Sequence, residues 1–348
     1  MRILRSLHAW VGALLALFLV VQGLSGVLAV LRGEMIVASV PAARAAKPPP
    51  DSLGPALEVF DAARAGHIKA VLFSPHGLGV HRVYLADGAS AFIDGQGREV
   101  QRWRGNRRIE ELVLSLHREL LFGKAGNLMV GVVGIGGLGL VAAGLLIWAV
   151  PRPRLDARIW PATAARRDVY RAHQNLGALL GLFLVVQLTT ALVMAYGGAA
   201  RTVLGVDGPR APRAAPFAGP VPWTAILNAA LIRVPNGEIR RVIAPARAHD
   251  PFVINLHAPG EWGWEAETVV FVDGRGSVLG VSRSTDRTLG TRVYAGLKAL
   301  HTGDYGGDLG RLGAGLVGLG MAVLGGFGLW SFVRGPRVRA AIRVGLTR

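Results

Sequence analysis

Cysteine is absent from the 348 residues, so the chain forms no disulfide, no thiolate metal site, no cysteine-ligated iron–sulfur cluster and no covalent CxxCH haem attachment. Any metal must be held by other groups, histidine first among them. Acidic residues are also scarce, 22 against 39 lysines and arginines, and none falls within the long apolar runs described below. Carboxylates therefore cannot complete a metal site inside those runs. The signatures of hydrolytic and nucleotide chemistry are missing as well: there is no HExxH, P-loop or readable nucleophile triad. The GIGGLG at residues 134–139 lies within an apolar run, where a dinucleotide site would need a strand-to-helix turn.

What is abundant is apolar sequence, 51% of residues, concentrated in four runs. They extend from about Ala9 to Leu31, Leu128 to Val150, Leu176 to Tyr196 and Leu312 to Val333. At about 1.5 Å per helical residue, each covers the ~30 Å hydrocarbon core of a bilayer. Four crossings put both ends on one side. The segments expected there, before the first run, between the second and third, and after the fourth, hold thirteen arginines against Asp156 and Asp168, or +11 of the formal +17. The positive-inside rule assigns these segments to the cytoplasm. Because the basic residues flank spans and no recognition motif accompanies them, nucleic-acid binding is not expected. The first run, with its basic start and the PAARAA that follows, also invites a signal-peptide reading. It exceeds the ~7–15 residues of a signal h-region, so a retained anchor is the expectation.

The first run has a second copy. HAWVGALLALFLVVQ at His8 to Gln22 returns, without a gap, as HQNLGALLGLFLVVQ at His173 to Gln187. Composition alone does not restore a histidine and a glutamine fourteen residues apart, which marks an internal repeat. His8, Gly12, Leu15, Leu19 and Gln22 fall on one helical stripe, and so do His173, Gly177, Leu180, Leu184 and Gln187. A glycine one turn from each histidine leaves room beside the imidazole for a flat macrocycle; close helix packing is the competing reading.

The repeat extends to the polar segments. Residues 32–110 combine a linker (AARAAKPPPD), a helix at Leu53 to Ala65 and strands in VLFSP, VHRVYLAD and SAFIDGQGREVQRW. Residues 198–290 do the same with PRAPRAAPFAGPVPW, a helix at Thr224 to Leu231, and strands in IRRVIAP, FVINLHA, ETVVFVDG and SVLGVSRS. Each segment is expected to be an extracytoplasmic α+β module. A connecting helix follows each module, Arg107 to Leu121 and Thr291 to His301, and delivers His117 and His301 near the outer ends of the second and fourth spans. The predicted layout is span 1–31, module 32–110, connecting helix and span 111–150, basic loop 151–172, span 173–197, module 198–290, connecting helix and span 291–333, and basic tail 334–348.

The repeat thus separates His8, His117, His173 and His301 from the remaining five histidines. Two facing imidazoles at each of two levels are what six-coordinate haem b requires. Another metal, or interfacial histidines that cap helices, are the alternatives. Zinc would want three or four protein ligands. Arg5, Arg118, Arg171 and Lys298 lie close enough in sequence to neutralise propionates, although each can equally be a solvated or snorkelling charge. Gln22 and Gln187 can bond across helices or to a cofactor edge. His67, His76, His81, His249 and His257 have no repeat partners and read as surface or turn residues.

These residues resemble the PepSY-associated transmembrane family of bacterial inner-membrane proteins. The resemblance rests on His8 with GALLALFLVVQGLSG, Leu116-His117, Tyr170 to Gly177, Leu300-His301-Thr302-Gly303, the FIDG and FVDG hairpins and the span-ending Trp148 and Trp330. It covers nearly the whole chain. It implies two haems b on His8, His117, His173 and His301, PepSY-like modules in the periplasm, and an oxidoreductase that passes electrons to ferric iron held in a siderophore. Some relatives carry a flavin reductase domain after the last span; here the donor is expected to be a separate cytoplasmic reductase or quinol. The alternatives are a haem-free anchor whose modules bind or inhibit a partner protein, and a haem subunit serving another oxidoreductase.

Overall fold

The computed structural model describes residues 1–64, 68–150, 158–261 and 267–335. His67, Arg152, Arg154 and Asp156 of the basic loop, and the tail from Pro336 onward lie outside the described residues. The chain divides into two compact units: Met1–Val30, Val113–Ala200 and Leu300–Arg348 form one, Leu31–Leu112 and Arg201–Ala299 the other.

The first unit is a helix bundle. Its long helices are α1 (Arg2–Val30), α5 (Gly123–Ala149), α6 (Arg166–Ala195) and α10 (Gly307–Val333), and the short α7 (Gly197–Leu204) follows α6. Each is long and apolar enough to cross a membrane, and the chain is a polytopic α-helical membrane protein. The helices begin up to ten residues before the apolar runs read from the sequence, because the basic flanks continue the helix. His8 and His173 therefore lie two turns inside α1 and α6.

Small residues set the helix contacts. A Cβ on Gly23 of α1 would stand 2.5 Å from the carbonyl oxygen of Gly318 and 3.0 Å from the backbone nitrogen of Ala322 on α10; one on Gly325 would meet Val20 and the Ala16 carbonyl. α5 and α6 meet through Gly134 on Leu192 and Gly181 on Leu145. Backbone approach of this kind is how helices gain dispersion contact where no hydrophobic effect separates protein from lipid. Leu176, Leu184 and Leu324 form the buried apolar cluster between α6 and α10.

The second unit is a single antiparallel sheet with helices on it. Its strands are β1 (Ile68–Leu72), β2 (Val80–Leu85), β3 (Ala89–Asp94), β4 (Glu99–Arg104), β5 (Glu238–Ile243), β6 (Phe252–His257), β7 (Thr268–Val272) and β8 (Val278–Ser282). Their order is β4-β3-β2-β1-β5-β6-β7-β8. Two four-stranded meanders are joined edge to edge, with Ala70, Val71 and Leu72 opposite Ile243, Val242 and Arg241. The sequence suggested two modules; the structure gives one sheet, because pairing β1 with β5 satisfies two rows of backbone groups that separate modules would leave as open edges. β1 begins upstream of the VLFSP stretch and ends within it at Leu72, leaving Phe73 to Pro75 in the turn.

Helices α3 (Leu53–Arg64) and α8 (Trp223–Arg233) cover one face, over a core that includes Leu57, Phe60, Val71, Ile93, Trp223, Ile226, Val242 and Ile254. On another cluster, α2 (Arg32–Ser39) and the stretch after it bury Ile36, Val40 and Ala43 against Val80, Phe92 and Trp103. The segment read as a linker is therefore partly core. Beside it Glu111 takes Arg32 at 2.5 Å and Arg82 at 2.6 Å; burial pushes its carboxyl up, and the two guanidiniums outweigh that and hold it below the usual range.

His81 is not a surface residue. Its side chain is fully buried, with Nδ1 accepting from the Ser74 amide at 3.2 Å and the ring edge-on to Phe73 at 5.5 Å. Alternation along β2 turns residue 81 to the same side as Val83 and Leu85, which the apolar count of the strand did not reveal. Burial pushes its pKa down from 6.5 to about 4, against a small upward pull from Asp94.

Two outcomes are expected. Gly23→Ala should destabilise the bundle by about 1–3 kcal/mol through overpacking, read as a lower thermal midpoint in detergent, whereas Gly313→Ala, whose Cβ meets nothing within 4 Å, should not. The neutral His81 ring stabilises the fold fully above its unfolded pKa of 6.5, and that stability is lost as pH falls toward about 4. At pH 5 the loss is about 2 kcal/mol, and a His81→Gln variant should show correspondingly less acid destabilisation between pH 7.5 and 5 than the parent.

Candidate functional site

The four repeat-related histidines meet as two pairs within the helix bundle. His8 and His173 have ring centroids 6.3 Å apart, with planes at 71°. His117 and His301 are also 6.3 Å apart, at 32°. His117 is carried by α4 (Ile109–Glu119) and His301 by α9 (Leu289–Thr302), each of which turns sharply into the following span. Leu120 and Leu121 take left-handed φ of 47° and 66° in the first turn, and Gly303 takes 80° in the second. Gly126 packs on the Glu119 carbonyl and Gly310 on that of Gly303, at positions where no Cβ fits.

The imidazoles of His117, His173 and His301 each have one nitrogen committed to a helix backbone. Nδ1 of His173 lies 3.1 Å from the Leu324 carbonyl, and Nδ1 of His117 lies 3.1 Å from the Gln22 carbonyl and 3.1 Å from Ser25 Oγ. His301 repeats the arrangement with Gln187 at 3.3 Å and Thr190 Oγ1 at 3.1 Å. Ser25 gives its own proton to the Val21 carbonyl at 2.6 Å, and Thr190 donates to Val186 at 2.9 Å. Both neighbours of each Nδ1 are then acceptors, so the proton sits on Nδ1. Nε2 is left with its lone pair free, the tautomer of a metal-ligating histidine whose far nitrogen is held by a second group. Glycines let helices close on the rings of the other pair: a Cβ on Gly144 of α5 would stand 3.2 Å from Cε1 of His8, and one on Gly328 of α10 3.4 Å from Cε1 of His173.

Gln22 and Gln187 provide the carbonyls that hold His117 and His301, and each is fourteen residues beyond His8 or His173. Along an α-helix that separates the two histidine pairs by about 21 Å. The first pair opens on a cavity of about 590 Å3 lined by Gly12, Gly177, Leu19, Leu184 and Leu188 and, at one end, Arg2, Arg5 and Arg166. This is in the range of about 300–1,000 Å3 that holds cofactor-sized ligands. Among the described residues no group of three or more His, Asp or Glu side chains converges, so the donor set at each level is two imidazoles.

Of the residues expected at the site, Gly12 and Gly177 line the cavity without touching the rings; their added Cβ atoms would meet Leu140 at 3.8 Å and Leu324 at 3.7 Å. Arg5 lines it and Arg171 does not. Arg118 is exposed. Gln187 donates from Nε2 to the His301 carbonyl at 3.0 Å, whereas Nε2 of Gln22 has no partner among the described residues. Ser25, Thr190, Gly144 and Gly328 were missed. For the hydroxyls the signal existed, since Ser25 and Thr190 both lie three residues past the repeated glutamine; for the glycines it did not, because aligning Trp148 with Trp330 pairs Gly144 with Gly326 and not with Gly328.

Histidine-labelled protein should show the Nδ1-protonated neutral tautomer for His117, His173 and His301 in 15N–1H correlation spectra. Nε2-protonated signals would contradict the assignment.

Comparison with curated proteins finds no match. The family described as the PepSY-associated TM region matches residues 5–334, from just before His8 to just past the last span. With all four bundle histidines inside that match, the chain belongs to the PepSY-associated TM region family.

Proposed function

We propose that the chain is a dihaem b protein of the bacterial inner membrane that carries electrons across it to ferric iron, bound in a siderophore or similar chelate, in the periplasm. One observation carries this reading: two imidazole pairs whose ring spacing fits a shared metal. Two imidazoles facing each other across one metal, with bonds of about 2.0 Å each and ring centres about 1.1 Å behind the nitrogens, would have centroids about 6.2 Å apart, and both pairs stand at 6.3 Å. The donor set of two neutral imidazoles and the absence of cysteine fit haem b and not a thiolate or three-ligand site.

Bound haem b would supply a one-electron couple at each level. The residues around it have separable tasks. His8 with His173, and His117 with His301, offer Nε2; the backbone carbonyls, with Ser25 and Thr190, orient the rings and raise their basicity. Arg2, Arg5 and Arg166 at the basic end of the cavity suit the carboxylates of a porphyrin. Leu19, Leu184 and Leu188 exclude water between the levels and lower the local dielectric, which tunes the potential. A separation of about 21 Å along the helices lets two redox centres divide a ~30 Å bilayer between them.

The direction follows from charge. The arginine-rich segments are cytoplasmic by the positive-inside rule, which puts both termini and the His8–His173 pair toward the cytoplasm and residues 31–112 and 201–299 in the periplasm. Electrons would come from quinol or a separate cytoplasmic reductase, and one electron converts Fe3+ to Fe2+, a softer ion that a hard-oxygen chelate holds less well.

Purified protein should show sharp reduced α-bands and about two haems b per chain by pyridine haemochrome. His117→Ala or His301→Ala should remove one haem and leave the other, and a ferric chelate should reoxidise the dithionite-reduced parent. A protein that stays colourless after haem is supplied would overturn the reading and turn attention to a protein partner of the sheet unit.

A further inference from the structure

The two histidine pairs share a ring spacing and differ in how their planes are set. The rings of His117 and His301 lie at 32°, near parallel, whereas those of His8 and His173 lie at 71°, near perpendicular. The difference coincides with a difference in hydroxyls. Ser25 Oγ stands 3.1 Å from Nδ1 of His117, and Thr190 Oγ1 stands 3.1 Å from Nδ1 of His301. At the other level the residue three past Leu324 is Phe327, and among the described residues no hydroxyl bonds either ring.

Ser25 and Thr190 are buried, each 2% exposed, and their own helices fix their rotamers. Ser25 donates back to the Val21 carbonyl at 2.6 Å, and Thr190 to that of Val186 at 2.9 Å. The oxygen lone pairs are thereby left for the imidazoles. Each Nδ1–H then has two acceptors on one helix, the hydroxyl and the carbonyl three residues earlier, at 3.1 Å for Gln22 and 3.3 Å for Gln187. A proton held between two fixed acceptors leaves the ring little freedom to rotate. The second acceptor also polarises the N–H bond further and puts more electron density on Nε2.

Both effects would act on an iron bound at Nε2. Near-parallel imidazole planes donate into the same iron d orbital and separate it in energy from its neighbour; near-perpendicular planes load the two orbitals alike. More density on Nε2 stabilises Fe3+ over Fe2+, which lowers the reduction potential. A hard-oxygen chelate also favours Fe3+, so the centre that faces it has to be a strong reductant. We propose, on the dihaem reading above, that Ser25 and Thr190 are positioning residues: they hold the His117 and His301 planes near parallel and keep that site at low potential, which makes the two sites electronically distinct.

The test uses the full-length, haem-loaded protein, with low-temperature electron paramagnetic resonance of the oxidised form and a potentiometric titration followed at the α-bands. The parent is expected to give two low-spin ferric signals: a resolved rhombic one that His117→Ala removes, and a broad one at larger g that His117→Ala retains. Ser25→Ala and Thr190→Val should move the rhombic signal toward larger g and shift one midpoint potential positive, with the other midpoint and the haem content kept. Ser25→Thr and Thr190→Ser, which restore a hydroxyl, should return the parental signal and midpoint. Two identical signals in the parent would overturn the proposal, and so would unchanged spectra and midpoints in Ser25→Ala and Thr190→Val. The parent spectrum decides the matter even if those variants fail to load haem. A protein without haem absorption overturns the dihaem reading itself, an outcome distinct from a loaded protein whose two sites are alike.

Discussion

An imidazole inside an apolar bundle has two polar nitrogens and almost nothing to bond them to. Helix backbones there are already hydrogen-bonded internally, so the acceptors within reach are carbonyls able to take a second hydrogen, and a ring can reach them only where the covering side chain is small. That requirement explains the arrangement around His117, His173 and His301. His173 reaches Leu324 past Gly328, and His117 reaches Gln22 past Gly26. His301 makes the same reach to Gln187 with Thr190 beside it. Fixing Nδ1 in this way leaves Nε2 as the reactive nitrogen and holds each ring in one orientation.

The same constraint sets the spacing. Because the carbonyl that holds His117 belongs to Gln22, the distance between the two histidine levels is carried by one helix, α1, and again by α6 through His173 and Gln187. A helix is the stiffest ruler available to a protein, and fourteen residues of it fix about 21 Å. The glycine contacts between α1 and α10 then matter for more than stability. A Cβ at Gly23 would displace α10, and α10 supplies both the Leu324 carbonyl and the Gly328 approach to His173. Packing in this bundle and geometry at the histidines are one problem.

The sheet unit solves a different one. Four strands of one meander and four of the other would each present an edge; joining β1 to β5 removes two of them and lets α3 and α8 share a core. The helices come close enough that a Cβ on Gly54 would collide with the backbone of Thr224. This shared core is also what buries Asp61 beneath Trp223, a residue from the other half of the chain.

Sequence alone determined the four spans, the meanders and the identity of the four histidines. Each follows from a sequence pattern: hydrophobic length for the spans, alternation and DG turns for the strands, repetition of His with Gln fourteen residues on for His8 and His173, and the repeated connecting helix for His117 and His301. The family also follows from the residues themselves. Only the tertiary structure decided that the two meanders form a single sheet, that His81 is buried, that Ser25 and Thr190 stand on Nδ1, and that Gly144 and Gly328, not Gly12 and Gly177, lie against the rings. The reason is physical. Periodicity reports which face of an element is apolar, but which partner meets that face, and which small residue lets a ring reach a carbonyl on the next helix, depends on contacts between segments more than a hundred residues apart.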